Sequence, residues 1–448
     1  MKYFALNLIA KAPLSIRADQ SPEGADTAKY IPGATLAGSL ASLHRLYYPE
    51  NTGEFEKFFI AGQVHYPDLY PATLKDQVMQ NESRVPIYPI PKTAQSCKRH
   101  PGFRHIFRGE EDTVEEGERH GVRDSLLDWA LFSLADKSNR SSNDQNTVPP
   151  SVLLAPFQDH KNCSYPECDS LMDRFSGYYR RDEQDDNMII ADAKTRLQTH
   201  TGINRDTGTV QEGILYNRRV FAENTRFWGM VKVADELVPT FTGFIERVGH
   251  SGLIHIGTGR TRGMGQVTIS VKQMENDQDS PHAFQARLQK FDDKLSKAVQ
   301  AFSESEKFPL DPSPFYFALT LHSPAILRDE LLRYRGTINE KALEELLKRP
   351  ELPELAKRLE LTEKPFDLIY QSASTRRVTG WNALWEMPRT NELAIETGSV
   401  FLFESKLPQK EVEEALFKIE SEGIGQRRAE GFGRVCVSDP FHLEGGVR

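Results

Sequence analysis

The two halves of this chain begin and end in the same way. Each begins with alternating apolar residues that run into a proline, YFALNLIAKAPLSI at residues 3–16 and PFYFALTLHSPAIL at residues 314–327. Each ends with a glycine-rich loop followed by a strand pattern, GTGRTRGMGQVTISV in the first half and GIGQRRAEGFGRVCVS in the second. Such a repeat within 448 residues indicates an internal duplication.

The order of elements within each half predicts the fold class. Periodicity gives a strand, a helix, two strands, a helix and a strand, which is the split βαβ pattern of ferredoxin-like folds. We expect an α+β protein with two tandem ferredoxin-like (RRM-like) domains, glycine-rich loops and a large irregular insertion in the first. The first domain is expected at 1–275, its insertion at about 50–200, a helical linker at 276–312 and the second domain at 313–448. Helices would cover one face of each sheet and leave the other free to bind.

The expected insertion differs in composition from its surroundings. Prolines cluster in YPDLYPA and VPIYPIPK, and KSNRSSNDQNTVPP is polar enough to be a surface loop. One helix is predicted within it, in HGVRDSLLDWALFSLA, where Leu127, Leu131 and Leu134 recur at helical spacing.

The charge balance restricts where a polyanion could bind. The chain carries 56 Lys and Arg against 64 Asp and Glu, a formal net charge of −8, so no global field attracts nucleic acid or an anionic membrane. Any such site must be local. We expect a cytoplasmic protein with reduced thiols, because no signal peptide or long apolar run is evident and only four cysteines occur.

The two glycine-rich loops are the first candidate for a local polyanion site. Glycines allow the backbone amides to approach a phosphate closely, and arginines supply forked donors. Neither loop has the ending of a P-loop or the GxGxxG spacing of a dinucleotide site. The alternative is that the glycines only permit a tight crossover between helix and strand. The candidate residues are Gly257, Gly259, Arg260, Arg262, Gly263 and Gly265 in the first loop and Gly425, Arg427, Arg428, Gly431, Gly433 and Arg434 in the second.

Several segments together resemble the RAMP proteins associated with CRISPR systems. IPGATLAGSL is similar to the helix start of that family, and HTGINRDTGTVQEGILYNRRVFAENTRFWGMVKV to its RxxIDRxTGxxxxGxLY motif with the hairpin that follows. The two glycine-rich loops resemble the family's terminal loops. His200 stands where that motif usually has Arg and Asn204 where it usually has Asp, which puts the hairpin's contact with target RNA in doubt.

Within the family, the RRAEGFGRV ending most resembles the large subunit of type III-D effector complexes, a relative of the Cas-five group. The resemblance implies a structural subunit that binds crRNA and holds its repeat-derived 5′ handle in antiviral defence. It also implies contacts with the large polymerase-cyclase subunit and the backbone RAMP subunits, and an indirect relation to target RNA. No membrane partner and no nucleotide cofactor are expected.

Three further segments are candidates for RNA contact. Around the predicted hairpin, basic side chains alternate with aromatic ones, the combination that binds single-stranded nucleic acid, although half of the aromatic side chains should be core. A polar segment of the second half and the start of the first helix are further candidates, each of which could instead be a plain turn or helix start. The residues are Arg196, Arg205, Arg218, Arg219, Arg226 and Trp228 at the hairpin, Arg376 and Arg377 in the second half, and Arg17, Lys29 and Gly33 at the helix start.

Thiols and imidazoles in the insertion predict a possible structural zinc site. Cys97 and His100 have C-x2-H spacing, and Cys163 and Cys168 have C-x4-C spacing. Thiolate and imidazole suit tetrahedral zinc, which would stabilise a segment with little core of its own. His120 and His160 compete for the fourth position, and packed free cysteines are the alternative.

The sequence does not establish an active site. Asp19 and Asp26 lie in the loop where some backbone RAMP subunits carry a cleaving aspartate, and His200 could serve in general acid-base catalysis, but a solvated acidic loop and a structural histidine are the favoured explanations. A non-catalytic subunit is therefore favoured. The alternatives are a RAMP endoribonuclease that processes pre-crRNA or cleaves target RNA, and a protein-binding scaffold without direct RNA contact.

Overall fold

The structure is a computed structural model. It describes residues 1–16, 27–72, 85–104, 119–141, 162–181, 188–204, 206–274, 280–306, 310, 314–382 and 387–443. Within these residues no helix is long and apolar enough to cross a membrane.

The described elements up to Gln273 form three sheets, one long two-stranded ribbon and four α-helices. The strands are β1 (Lys2–Ala10), β2 (Val64–His65), β3 (Tyr70–Pro71), β4 (Tyr88–Pro89), β5 (Ala94–Cys97), β6 (Val122–Asp124), β7 (Met172–Arg174), β8 (Tyr178–Arg181), β9 (Met188–Ala191), β10 (Thr195–Ile203), β11 (Val210–Phe221), β12 (Arg226–Val233) and β13 (Val267–Gln273). The helices are α1 (Gly33–Tyr47), α2 (Thr52–Phe59), α3 (Leu126–Ser141) and α4 (Val238–Gly249).

The remaining elements begin with a long helix. The helices are α5 (Pro281–Glu306), α6 (Glu340–Leu347), α7 (Pro353–Leu361), α8 (Gln409–Glu422) and α9 (Pro440–Leu443). The strands are β14 (Phe315–Leu321), β15 (Leu327–Arg328), β16 (Tyr334–Arg335), β17 (Phe366–Ser372), β18 (Thr375–Val378), β19 (Trp381–Asn382), β20 (Met387–Pro388), β21 (Glu392–Ile395), β22 (Val400–Ser405) and β23 (Val435–Val437).

The two main sheets have the same strand order. The first has the order β13-β1-β12-β2, with β3 also paired to β12, and the second has the order β23-β14-β22-β17. All neighbours are antiparallel. Counted along the chain within each half, both orders place the fourth strand beside the first, then the third and then the second. The duplication that the sequence indicates therefore extends to the connections of the two sheets.

Each main sheet packs helices against one face. In the first half, Leu36, Leu40 and Leu43 recur at helical spacing on α1 and join the core formed with α2, α4 and the sheet. In the second half, α6, α7 and α8 contribute residues such as Leu343 and Leu416 to an equivalent core. The apolar residues that recur at helical spacing on these helices therefore pack in the two cores.

The opposite face of the second sheet is covered as well, contrary to the expectation of a free face. Leu131 and Leu134 of α3 and Leu295 of α5 pack there against Tyr316 and Leu402 of the sheet. The helix predicted in the insertion therefore forms, but it packs on the other half of the chain. This sheet has no open face on which bases could stack.

The region expected to be irregular from residue 50 contains part of the first sheet. Helix α2 and strands β2 and β3 lie there and pack or pair with the first half. Beyond them, two small sheets with the orders β4-β8-β9 and β6-β5-β7 form the insertion. The insertion contacts the second half through Asp124 and His442, whose Oδ2 and Nδ1 atoms are 2.7 Å apart, and through Lys92 and Glu396, whose Nζ and Oε2 atoms are 2.5 Å apart.

Candidate nucleic-acid interface

Loop one, residues 257–265, is closed by backbone hydrogen bonds to the segment that follows the first strand. The Gly265 amide donates to the Pro13 carbonyl at 2.9 Å, and the Thr258 amide donates to the Ser15 carbonyl at 2.9 Å. The Ile256 amide donates to the Gly265 carbonyl at 2.8 Å. A Cβ at Gly265 would lie 2.4 Å from the Ile256 carbonyl oxygen, so only glycine fits there.

Loop two, residues 423–433, repeats this arrangement. The Gly433 amide donates to the Pro324 carbonyl at 2.7 Å, the Gln426 amide to the Ile326 carbonyl at 2.9 Å, and the Ile424 amide to the Gly433 carbonyl at 2.8 Å. A Cβ at Gly433 would lie 1.8 Å from the Ile424 carbonyl oxygen. The two loops are therefore equivalent at the level of single hydrogen bonds, and several amides predicted to face a phosphate bind carbonyl groups of the chain instead.

Each loop also carries a short 3-10 turn between two left-handed residues. In loop one the turn Arg260–Arg262 lies between Gly259 and Gly263, and in loop two the turn Arg428–Glu430 lies between Arg427 and Gly431. The register of the turns makes Arg260 equivalent to Arg428 and Gly263 equivalent to Gly431. Gly257 and Gly425 are equivalent in the same way.

Loop one lies beside the β10–β11 ribbon and carries exposed arginines. Arg260 and Arg262 are both exposed, and Nη1 of Arg262 donates to the Tyr216 hydroxyl at 2.6 Å. Nη1 of Arg218 donates to the Thr258 hydroxyl at 3.3 Å. The His200 ring stacks on Tyr216 with 5.2 Å between ring centroids. Ribbon and loop thus form one continuous surface.

We call five arginines of ribbon and loop one, together with Tyr216, the basic surface; all are exposed except Arg218, which is half-buried. Nη2 of Arg196 lies 2.7 Å from Oε1 of Glu223. Leu197 and Ile203 of the same ribbon are 59% and 66% exposed, so apolar side chains lie among the cations. The surface consists of Arg196, Arg218, Arg219, Arg260, Arg262 and Tyr216.

The other predicted residues of the first half differ in position. Lys29 is exposed, whereas Arg226 is half-buried. Trp228 was predicted to contact RNA, but it is 2% exposed and packs with Tyr30 and Tyr70 on the far face of the first sheet. This prediction is corrected, because β12 is a central strand with side chains packed on both of its faces. Arg17, Asp19, Asp26, His160 and Arg205 lie outside the described residues.

Arg427 of loop two is held by acidic partners instead of facing solvent. Its Nη1 donates to Oε2 of Glu392 at 2.6 Å and its Nη2 to Oε2 of Glu430 at 2.7 Å, and its guanidinium lies over the Phe432 ring. Burial raises the pKa of Glu430, but the hydrogen bonds and charges of Arg427 and Arg389 lower it by a larger amount. The pKa of Glu430 is therefore below its ordinary value. The prediction that Arg427 binds RNA is corrected for this reason.

The other basic residues near loop two remain partly accessible. Arg377 and Arg428 are exposed, and Nη1 of Arg428 lies 3.8 Å from a Glu422 oxygen. Arg434 and Arg376 are half-buried, and the guanidinium of Arg376 lies 5.5 Å from the Tyr30 ring centroid.

A buried carboxylate occupies the helix start that the sequence offered to a phosphate. The Gly33 amide donates to Oδ1 of Asp68 at 2.9 Å. Burial raises the pKa of Asp68 to about 7, although the Gly33 hydrogen bond and the charges of Arg376 and Arg434 lower it. Sequence reasoning missed Asp68, whose one signal is its place in the proline-flanked YPDLYP segment. The prediction of a phosphate at Gly33 is therefore corrected.

The structure brings together, in the insertion, four side chains that could hold a metal ion. One ligand atom each of Cys97, His120, Cys163 and Cys168 lies within 4.8 Å of the others. His120 takes the place predicted for His100, whose ring instead stacks on the His120 ring at 4.2 Å. Three thiols and one imidazole are the donor set of a structural zinc site.

The pKa values of two of these thiols are shifted in opposite directions, that of Cys163 upwards and that of Cys97 downwards. Burial raises the pKa of Cys163 to about 12, and hydrogen bonds with Cys168 and Cys97 raise it as well. Burial also raises the pKa of Cys97, but hydrogen bonds from the backbone amides of His100 and Arg99 outweigh it, and the pKa is below its ordinary value.

Comparison with known proteins gives one family match. The family model described as the RAMP superfamily matches residues 20–268. No curated protein sequence matches the chain.

Among solved structures the likeness is distant. A chain of the type III-B Cmr-beta complex bound to cognate target RNA is 10% identical, with a TM-score of 0.37 over 95% of this chain and 91% of that one. Cas6 from Thermus thermophilus is 11% identical, with a TM-score of 0.26 over 48% and 74%. Oligomeric Cmr4 from Pyrococcus furiosus is 14% identical, with a TM-score of 0.25 over 62% and 100%. These values assign no function to the chain.

Proposed function

The chain belongs to the RAMP superfamily, whose model matches more than half of its 448 residues, and from this premise we propose that it is an RNA-binding structural subunit of a type III CRISPR effector complex in antiviral defence. The basic surface is the observation that carries the proposal. Guanidinium groups bind phosphates, and a stacked His–Tyr pair offers a flat face to unpaired bases.

We infer further that both halves are ferredoxin-like domains. Their common strand order, 4-1-3-2 in each half, and the helices on one face support this assignment. The boundaries at 1–275 and 313–448 remain predictions.

The RNA is inferred to be the guide strand. The resemblance to type III-D large subunits assigns the 5′ handle of crRNA to such a chain, and the large polymerase-cyclase subunit and backbone RAMP subunits as its neighbours. Ultraviolet crosslinking of the assembled complex tests this assignment. Crosslinks from the handle nucleotides to peptides of the ribbon or loop one support it, whereas handle crosslinks confined to the insertion contradict it.

Charge reversal at loop one tests RNA binding directly. We expect Arg260→Glu with Arg262→Glu to weaken binding of a fluorescent single-stranded RNA about tenfold or more, because two phosphate contacts become repulsive. The dependence of log K on log salt should become shallower by about 0.7 per lost contact. Fluorescence anisotropy titrations at several salt concentrations measure both quantities.

A matched control separates local binding from net charge. Lys341→Glu with Lys357→Glu changes the net charge equally, and both side chains are exposed on helices α6 and α7 of the second half. Equal weakening by the two double variants would contradict a local site. Wild-type affinity in the loop-one variant would contradict it as well.

Ribonuclease activity is the alternative that the geometry of His200 favours. Its ring stacks on Tyr216, which accepts a hydrogen bond from Arg262, so a base and a cation lie near one another. Incubating the chain with repeat RNA in EDTA tests this alternative. If the wild type cleaves the RNA and His200→Ala abolishes the cleavage, the ribonuclease alternative would replace the non-catalytic proposal. If the RNA stays uncut, the non-catalytic proposal is supported.

A protein-binding scaffold without RNA contact is the remaining alternative. The engaged state of Arg427 is the observation in its favour. If the Arg260 and Arg262 variant bound RNA normally while losing partner subunits, this alternative would be preferred.

We propose that Cys97, His120, Cys163 and Cys168 hold a structural zinc ion. The ion would crosslink strand β5 to the segment that precedes β7 and so stabilise the small β6-β5-β7 sheet. Elemental analysis by plasma mass spectrometry should give about one zinc per chain. Cys163→Ser should lose the metal and Cys436→Ser should keep it, because Cys436 lies in β23 outside this group. Metal-free wild-type protein purified without chelator would contradict the site.

A further inference from the structure

In loop two, the Ala429 carbonyl and the bare backbone of Gly431 form a small recess, which we call the notch. Another segment of the same chain occupies the notch of loop two. The Tyr66 amide donates to the Ala429 carbonyl at 2.9 Å. A Cβ on Gly431 would lie 2.9 Å from the Tyr66 carbonyl oxygen and 3.0 Å from the Asp68 nitrogen. An extended backbone segment of the first half, residues 65–68, therefore seats against the bare backbone of loop two.

The equivalent notch of loop one is open. Thr261 corresponds to Ala429 and Gly263 to Gly431, as the register of the two 3-10 turns requires. A Cβ on Gly263 would meet no atom within 4 Å among the described residues. The Thr261 carbonyl accepts no hydrogen bond from that part of the chain. The same backbone that binds an extended segment in one half is thus presented to solvent in the other.

A filled notch leaves the neighbouring cation accessible. Arg428 is 43% exposed although Ala429 and Gly431 on the same turn are engaged. Arg260 is its equivalent in loop one. Occupation of the notch at Thr261 and Gly263 is therefore compatible with RNA binding by the arginines on the other side of the turn.

We propose that the notch formed by the Thr261 carbonyl and Gly263 binds an extended backbone segment of a neighbouring protein subunit. The partner supplies a free backbone amide to the Thr261 carbonyl and lays its chain across Gly263, as residues 65–68 do on loop two. Backbone pairing of this kind needs no particular side chain on the partner but excludes a Cβ at Gly263. Because different surfaces of the two subunits meet, the contact is heterologous.

Filling the notch tests the proposal. Gly263 has φ of 72°, a left-handed conformation that asparagine tolerates, and its Cβ direction is open, so Gly263→Asn should keep the fold. In the complex purified through a tag on this chain, we expect Gly263→Asn to weaken retention of a neighbouring subunit about tenfold, measured by native mass spectrometry during dilution.

Gly62→Asn is the matched control, because Gly62 has φ of 71° and also meets nothing within 4 Å. It should leave the complex intact. Equal loss of subunits in both variants, or an unchanged complex with Gly263→Asn, would overturn the proposal.

Site-specific crosslinking identifies the occupant. Thr261→Cys carrying a photoactivatable maleimide should crosslink, within the intact complex, to an extended segment of another protein subunit. Crosslinks only to RNA or only to this chain would overturn the proposal. Because this readout needs no RNA-binding defect, the RNA proposal can fail while the docking proposal holds, and the reverse.

Discussion

Asp68 is a single residue that contacts both the start of helix α1 and loop two. Its carboxylate accepts the first amide of helix α1, and its Oδ1 would lie 3.2 Å from a Cβ on Gly431 of loop two. Helix α1 has Pro32 before it and no cap from a neighbouring side chain, so the carboxylate of Asp68, distant in sequence, accepts the hydrogen bond of the buried Gly33 amide. Full burial makes the ionised form costly.

The raised pKa of Asp68 predicts an unusual pH dependence of stability. Because its folded pKa, about 7, lies above the value in an unfolded chain, the folded state binds the proton more tightly, and this group adds stability as pH falls from about 8 towards 4. The slope approaches about 1.4 kcal/mol per pH unit at most. Asp68→Asn removes this contribution. The free energy of unfolding of the variant should therefore vary less between pH 5 and 8 than that of the wild type, by at most about 1.4 kcal/mol per pH unit, as measured by urea denaturation. Parallel pH curves would contradict the assignment.

Asp439 predicts the opposite dependence in acid. It lies 2.5 Å from Nε2 of His322, and although burial raises its pKa, the charges of His322 and His442 lower it well below the ordinary value. Its contribution is therefore present above the unfolded pKa, about 4, and is lost as pH falls further. Asp439→Asn should cost about 3 kcal/mol at pH 7, because His322 loses its buried partner, and the cost should shrink below pH 4. Chemical denaturation at pH 7 and pH 3 measures both; equal costs at the two pH values would contradict the pairing.

Helix α3 is the element whose partners sequence periodicity could not indicate. The leucines predicted to mark its turns do so, but an apolar stripe does not specify what covers it. Its partners, α5 and the far face of the second sheet, come from a part of the chain that begins at Pro281, 140 residues after α3 ends at Ser141. In the same way, alternation identified β12 and the ribbon, but the burial of Trp228 depends on tertiary packing over its face.

A core substitution in α3 tests this packing. Leu134 is 7% exposed and packs in the cluster with Tyr316 and Leu402, so Leu134→Ala should destabilise the chain by about 2 to 4 kcal/mol. Leu361→Ala is the control, because Leu361 is exposed and its truncation should change stability by less than about 0.5 kcal/mol. Equal effects in urea denaturation would mean that α3 does not pack on the second sheet.

At the scale of the whole molecule, the insertion connects the two halves. Helix α3, the Asp124–His442 pair and the Lys92–Glu396 pair all cross from the insertion to the second half, while loop two crosses to the first. The duplication and the two glycine-rich loops could be predicted from sequence, because they depend on local patterns. Which loop is engaged and which is open could not be predicted, because the two loops share their glycine pattern and the difference lies in the tertiary contacts of loop two with Tyr66 and Asp68.

These crossing contacts predict that the halves unfold together. Urea denaturation followed by far-ultraviolet circular dichroism and by tryptophan fluorescence should give one coincident transition. Leu134→Ala should shift both curves equally. Two separated transitions, with only the later or earlier one moved by the substitution, would show that the halves are energetically independent.

The two equivalent loops give the molecule a direction. The notch of loop two is occupied by residues 65–68 of the same chain, whereas no described residue occupies the notch of loop one. Under the docking proposed for loop one, a further subunit would join this molecule at the end that carries loop one, while loop two stays occupied by residues 65–68.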